Sequence, residues 1–172
     1  MGARIGIFGG SFNPIHNGHV RVALRAAREW RLDKVLVVPA AVSPFKIDGS
    51  TAMFSQTARW QMVQAVCAAH KSVLEACDVE LERGGVSYAV DTVSDLAKRY
   101  VGAELFFILG ADSVPSLPKW KDYGRLRTLC RFIAFERTEE SSTAIRAELR
   151  AGRSVASLVP AEVLPWCAMQ PS

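Results

Sequence analysis

The sequence predicts an α/β protein: a parallel sheet with helices on both faces. Three observations carry that expectation. Short apolar runs that read as strands alternate with longer segments whose apolar residues recur at helical spacing. The runs are apolar at successive positions, as strands covered on both faces require. The chain has 172 residues and is 49% hydrophobic, which supplies the core of one domain spanning 1–172.

The elements follow in order. Arg4 to Phe8 is the first strand, and Ile5 to Phe8 its buried run. Val20, Ala23, Leu24, Ala27 and Trp30 then recur on one face of a helix. Val35 to Val38, ended by Pro39, is a second strand. A helix from Thr57 to Ala69 follows, with Trp60, Met62, Val63 and Val66 expected on its buried side. Ser72 to Cys77 gives a weaker strand signal. Asp91 to Tyr100 reads as a helix burying Val93, Leu96 and Ala97, and Leu105 to Leu109 as a strand running into Gly110. Leu126 to Cys130 closes a helix before the strand Arg131 to Phe135. Ser142 or Thr143 is placed to cap a helix that continues to Ala151, where Gly152 ends it. The arrangement is Rossmann-like, with no repeat, low-complexity tract or linker.

Composition narrows the function. No stretch approaches the roughly 20 apolar residues of a membrane span. A strand begins almost at the first residue, so no secretory leader is expected and a cytoplasmic location is. Cys67, Cys77, Cys130 and Cys167 are scattered without C-x-x-C or zinc spacing, and are expected to be free, mostly buried thiols. The net charge is +4 with a pI near 9.0. Its basic residues are dispersed, with Arg21, Arg25 and Arg28 on one solvated helix face. A phosphate-rich small substrate accounts for the excess, and no nucleic-acid partner is expected.

The chemistry concentrates between the first strand and first helix, in Gly9-Gly10-Ser11-Phe12-Asn13-Pro14-Ile15-His16-Asn17-Gly18-His19. Ligands of open α/β sheets bind beyond the carboxyl ends of the strands. Gly9 and Gly10 remove side chains where a backbone must approach a ligand or take positive φ, and Pro14 stiffens the turn. Gly18 is expected to admit the ligand at the helix start, where free N–H groups and the helix dipole favour an anion. His16 and His19, three apart, share a helical face; each can donate to a phosphate oxygen, and a protonated ring adds charge. An isolated H-x-x-H is more often two ordinary loop histidines. Here two of the chain's three histidines fall in one Gly-rich loop after a buried strand, which favours the phosphate reading.

This segment resembles the H-x-G-H signature of the nucleotidyltransferase α/β-phosphodiesterase superfamily, in the form closest to bacterial nicotinate-mononucleotide adenylyltransferases. Ser141-Ser142-Thr143-Ala144-Ile145-Arg146 resembles the S-S-T-x-I-R motif of the same group. Glu80-Leu81-Glu82-Arg83-Gly84-Gly85-Val86-Ser87-Tyr88-Ala89-Val90-Asp91-Thr92 is similar to its E-L-x-R-x-G-x-S-Y-T-x-D-T stretch. Leu109-Gly110-Ala111-Asp112-Ser113 with Trp120 resembles its G-A-D…W segment. The resemblance covers nearly the whole chain.

The resemblance implies adenylyl transfer from ATP to nicotinate mononucleotide, giving deamido-NAD and pyrophosphate in NAD biosynthesis. It implies His16, His19, Lys46 and Arg146 on the triphosphate and its developing charge. Gly9, Gly10, Ser11, Phe12, Gly18, Gly110, Asp112, Ser142 and Thr143 would bind ATP, with Asp112 meeting a ribose. Asn13, Tyr88, Ala89, Asp91, Thr92, Trp120 and Lys121 would hold the pyridine mononucleotide, with Trp120 stacked on its ring. Mg²⁺ would accompany ATP with few or no direct protein ligands. The chain would act as a monomer or homo-oligomer. Taken alone, Trp120 is equally a core aromatic and Asp112 a helix cap. Alternatives are the same chemistry on nicotinamide mononucleotide or phosphopantetheine, and a nucleotide-binding protein impaired in catalysis.

The chain also departs from the pattern. Pro44-Phe45-Lys46 stands where many relatives have P-H-K, and Ala89 replaces a usual threonine. Lys121 follows Trp120 where some relatives place an aromatic or polar residue, and its ammonium can pair with a nicotinate carboxylate. Only Thr138, Glu139 and Glu140 separate Arg137 from the Ser141 motif, where relatives have a longer segment with another strand. The sheet is therefore expected to be one strand smaller.

Overall fold

A computed structural model describes residues 2–46 and 52–168. Among them, five parallel strands form one sheet in the order β3-β2-β1-β4-β5. They are β1 (Arg4–Gly10), β2 (Lys34–Pro39), β3 (Leu74–Ala76), β4 (Glu104–Gly110) and β5 (Arg131–Phe135). The helices are α1 (Asn17–Glu29), α2 (Gln56–Ala69), α3 (Val79–Arg83), α4 (Ala89–Arg99), α5 (Tyr123–Leu129), α6 (Ser142–Arg150) and α7 (Leu164–Ala168). The chain winds outward from β1 to β3, then returns to place β4 on the other side of β1. The order reverses between β1 and β4, and the crevice beyond their carboxyl ends is where such sheets bind ligands.

Strand alternation divides the core. Ile5, Ile7, Leu36, Val38, Leu105, Phe107 and Leu109 face α3, α4 and α5, against Val79, Val93, Leu96 and Leu126. Val35, Val37, Phe106, Ile108, Ile133 and Phe135 face the other way, against Ala23 and Ala26 of α1, Met62, Val63 and Val66 of α2, and Ile145 of α6.

Several helix details differ from the sequence expectation. α1 packs on the sheet through Gly18, Ala23, Ala26 and Ala27, and small residues keep it close. Trp30 caps that helix and is 38% exposed. Its carbonyl accepts from the Arg4 guanidinium, and Arg4 lies over the Phe106 ring. On α2 the buried stripe is Arg59, Met62, Val63, Val66 and Cys67, with Trp60 only half-buried. Ala97 is likewise half-buried. Ser141, one residue before the expected caps, caps α6 by accepting from the Ala144 N–H at 3.1 Å. The short helix α3 and a 3₁₀ segment over Ala111–Lys119 had no periodic signal, being too brief or proline-interrupted.

Cys67, Cys77 and Cys167 are buried and Cys130 half-buried, all as free thiols. Burial pushes Cys67 and Cys130 up to about 12, which makes them inert at neutral pH. No helix among the described residues is long and apolar enough to cross a membrane.

Candidate active site

The crevice beyond β1 and β4 is a cavity of about 520 Å³. Gly9, Gly10 and Ser11 form one wall and Leu109, Gly110 and Ser113 another. Tyr88, Ala89, Trp120 and Lys121 close it on the far side, with Phe45 and Lys46 at the β2–α2 loop. Trp120 meets Phe107 edge-on and Phe45 at a tilt, each with ring centroids 5.8 Å apart. Its buried indole Nε1–H has no partner among the described residues. The Lys121 ammonium lies 3.2 Å from Asp91 Oδ2 and 4.5 Å from the Tyr88 ring centre. An ion pair this exposed exchanges readily for another anion.

The wall carrying Tyr88 is positioned from beneath by Glu80, which sequence reasoning left without a role. Gly84 and Gly85 both take positive φ, at 68° and 66°, and turn the chain out of α3. Ser87 then docks on the β2–α2 loop: its N–H donates to Val42 O and its hydroxyl accepts from Ala41 N–H. The Thr92 hydroxyl donates to Glu80 Oε1 at 2.8 Å and accepts from Arg83 Nη2 at 3.1 Å. Thr92 is thus wholly buried and supports the wall without lining the cavity. Burial raises the Glu80 carboxyl to about 7, against the opposing pull of the Thr92 and Ser87 hydrogen bonds and the Arg83 charge. Glu80 lines the crevice as a group near half-protonation at neutral pH. A carboxylate in a hydroxyl-bearing stretch next to paired glycines was the available signal.

Across the crevice, the phosphate loop is pinned by its own side chains. Phe12 takes φ of 47° and turns its ring into the core against Phe8 and His19, leaving only its main chain for a ligand. Asn13 Oδ1 accepts from Phe54 N–H at 3.0 Å, and Asn13 precedes a cis peptide to Pro14. The α6 motif meets this loop directly. Ser142 Oγ donates to Pro14 O at 2.9 Å, and Arg146 Nη1 donates to Asn13 O at 2.9 Å. The Arg146 fork also donates to Thr143 Oγ1. The two ends of the chain therefore converge, from the second turn of α6 for Arg146.

His16 and His19 cap α1 reciprocally. His19 N–H donates to His16 Nδ1 at 3.3 Å, His16 N–H donates to His19 Nδ1 at 3.1 Å, and the rings stack at 3.6 Å. Both Nδ1 atoms accept, so each neutral ring carries its proton on Nε2. Burial lowers His16 to about 4, with Glu140 opposing and Arg21 adding to the shift. Burial, then the His16 charge, holds His19 well below the usual histidine range. The pair is uncharged at neutral pH, so the rings can act on an anion as N–H donors and not as cations. The helix amides are also less available than expected, since Asn17 N–H donates to Leu158 O and His19 N–H is capped.

Gly18 has a different reason from the expected one. A Cβ there would stand 2.0 Å from Thr138 Oγ1 and 2.9 Å from His16 Cε1. The short connection before α6 lies across the start of α1, and Glu140 pairs with Arg21. Arg21 and Arg25 are exposed but paired, Arg25 with Glu29 at 2.6 Å. Asp112 is held by Arg137, which draws its carboxyl below the usual range. Neither Asp112 nor the histidine pair lines the crevice.

A family model described as cytidylyltransferase-like matches residues 7–165, and the chain belongs to that family. Its relatives narrow the class. A probable nicotinate-nucleotide adenylyltransferase of Gemmatimonas aurantiaca is 36% identical over 96% of this chain and 90% of its own length. Another of that name, from Corynebacterium kroppenstedtii, is 36% identical over 97% of this chain and 89% of its own. In fold, the chain resembles a crystal structure from Vibrio parahaemolyticus (TM-score 0.81, 20% identity, 96% of this chain and 99% of that one). It also resembles the Plasmodium falciparum nicotinic acid mononucleotide adenylyltransferase complexed with NaAD (TM-score 0.74, 14% identity, 96% and 95%).

Two measurements test the site. Long-range ¹⁵N–¹H correlation spectra should show His16 and His19 as neutral Nε2–H tautomers at pH 7, with His16 titrating near 4. Glu80 binds its proton more tightly folded than unfolded, so its contribution to stability falls as pH rises from about 4.5 through about 7. Urea unfolding should therefore show Glu80→Gln gaining on the wild type across that window; a constant difference contradicts the assignment.

Proposed function

We infer that the chain transfers the adenylyl group of ATP to nicotinate mononucleotide, releasing pyrophosphate and forming deamido-NAD for NAD biosynthesis. One observation carries this reading: the β1–β4 crevice joins a glycine-lined phosphate loop to an aromatic wall with a cation at its edge. The acceptor's phosphate is already an anionic nucleophile, so no general base is required. Catalysis is then positioning and charge stabilisation of an in-line displacement at the α-phosphorus.

In this reading Gly9, Gly10 and Ser11 let the phosphates approach the end of β1, and Gly110 does the same at β4. Lys46 and Arg146 supply positive charge to the triphosphate, Arg146 from a guanidinium already anchored on Asn13 O. His16 and His19 offer neutral Nε2–H donors at the start of α1. Trp120, Tyr88 and Ala89 receive the pyridine ring, and Lys121 exchanges Asp91 for the ring carboxylate. Imidazole N–H, ammonium and guanidinium groups bind phosphate oxygens and do not ligate a hard cation. Mg²⁺ accompanying ATP would therefore take phosphate and water oxygens and offset phosphate charge.

Pyrophosphate release with ATP, Mg²⁺ and a panel of acceptors tests the reading. Nicotinate mononucleotide should turn over fastest; turnover of phosphopantetheine alone, or of no acceptor, overturns it. His19→Ala should lower kcat by about 10²–10³-fold while circular dichroism stays native. Near-wild-type turnover removes His19 from the site.

A further inference from the structure

Glu80 is the one acidic side chain lining the crevice among the described residues, beside the cations Lys46, Lys119 and Lys121. It is only 6% exposed, and no cation forms an ion pair with it among those residues. Arg83, on its own helix, spends its guanidinium on Asp95 Oδ2 at 3.0 Å and on the Thr92 hydroxyl at 3.1 Å. From α4, the Thr92 hydroxyl donates to Glu80, while Asp91 is paired with Lys121. From the segment before α4, Ser87 supplies a second hydroxyl and Tyr88 a phenol. The same core layer brings the apolar Leu36 and Val38 and the Cys77 thiol, which burial keeps neutral. A hydroxyl can donate to a carboxylate or accept from a carboxylic acid. Glu80 is therefore satisfied in either protonation state and is not locked into the ionised one by a salt bridge.

The charge of the acceptor's ring gives that freedom a consequence. In a pyridine mononucleotide the ring nitrogen is bonded to ribose and is positively charged. A nicotinate ring also carries a carboxylate and is neutral overall, whereas a nicotinamide ring stays a cation. The phosphates of the two are alike, so they differ by one charge at the ring. Charges in a water-poor site act on one another without contact. An ionised Glu80 beneath the Tyr88 wall attracts the nicotinamide ring and repels the nicotinate carboxylate. A protonated Glu80 removes that bias and leaves Lys121 to favour the carboxylate. We propose that Glu80 is a specificity-determining residue whose protonation sets the preference for nicotinate over nicotinamide mononucleotide. The preference is greatest with the carboxyl protonated and declines as it ionises, which burial places near pH 7. This role rests on the proposed adenylyl transfer to a pyridine mononucleotide.

The ratio of kcat/KM for the two mononucleotides tests this, because the phosphate they share cancels. From about pH 6 to about pH 8.5 the wild-type preference for nicotinate should fall about tenfold, chiefly through opposite changes in KM. Glu80→Gln keeps a hydrogen-bonding group without the charge and should hold the ratio at its acid value throughout. Glu82→Gln, an equal charge change at an exposed position of α3, should follow the wild-type profile. Carbon-13 spectra of the side-chain carboxyl follow Glu80 without any substitution. Its midpoint should lie near 7 in the free chain, rise with nicotinate mononucleotide bound and fall with nicotinamide mononucleotide bound. A ratio independent of pH, an equal decline in Glu80→Gln, or a midpoint that neither ligand moves overturns the proposal. If the two ligands move the midpoint in opposite directions but neither is adenylylated, Glu80 keeps its role and the transfer reading falls. If neither binds, both fall.

Discussion

One nitrogen of Arg59 donates to Ser11 O at 2.7 Å and to Ala40 O at 2.9 Å. Ser11 follows β1 and Ala40 follows β2, so this buried cation ties together the two strand ends that open the site. Hydrogen bonds from a charged donor are among the stronger ones in proteins, and few groups but a guanidinium can fork this way while staying charged in the interior. The carbonyls it holds fix the course of the phosphate loop on one side and of Ala40–Lys46 on the other. Ser87 hangs the Tyr88 wall on Ala41 and Val42 of that second loop. Arg146 and Ser142 dock α6 on Asn13 and Pro14 of the first. The phosphate loop, the Tyr88 wall and α6 are thus each referred back to one side chain on α2.

Electrostatic roles are divided in space. The β1–α1 turn carries a neutral histidine pair that has spent its Nδ1 acceptors on the helix end. Positive charge is gathered on α2, α6 and the β2–α2 loop. Such a division suits an anion that must be held and then released, because imidazoles that donate without charge bind it less tightly than a cation would.

The sheet was legible because its strands are short, apolar and separated by amphipathic helices. Each of the five strands lies where the residues Arg4–Phe8, Val35–Val38, Ser72–Cys77, Leu105–Leu109 and Arg131–Phe135 indicated, shifted by at most two residues at an end. The two motifs that meet, Gly9–His19 and Ser141–Arg146, were legible as chemistry. Less so were the side chains that position them. Arg59 occupies the first place in an i, i+3, i+4, i+7 stripe with Met62, Val63 and Val66, where an apolar residue is the natural expectation and Trp60 was the nearer candidate. An arginine in that register is the signal of a buried cation with a task. The tautomers of His16 and His19, the pairing of Lys121 with Asp91 and the seat of Asp112 on Arg137 depend on contacts between distant segments, which no local pattern encodes.

The contact between Gly18 and Thr138 makes two distant positions dependent on one another. In a chain whose connection before α6 ran elsewhere, the start of α1 would be free to test what fits at residue 18 against the ligand alone. Here the hydroxyl of Thr138 occupies that volume already, so the tolerance of position 18 is set by the protein's own connection. Substitutions at the two sites are epistatic: the effect of adding a methyl group at 18 depends on what stands at 138, and neither can be read as a binding effect without the other. The connection before α6 thus makes residue 18 a position of internal packing, whose side chain is limited by a hydroxyl some 120 residues further along the chain.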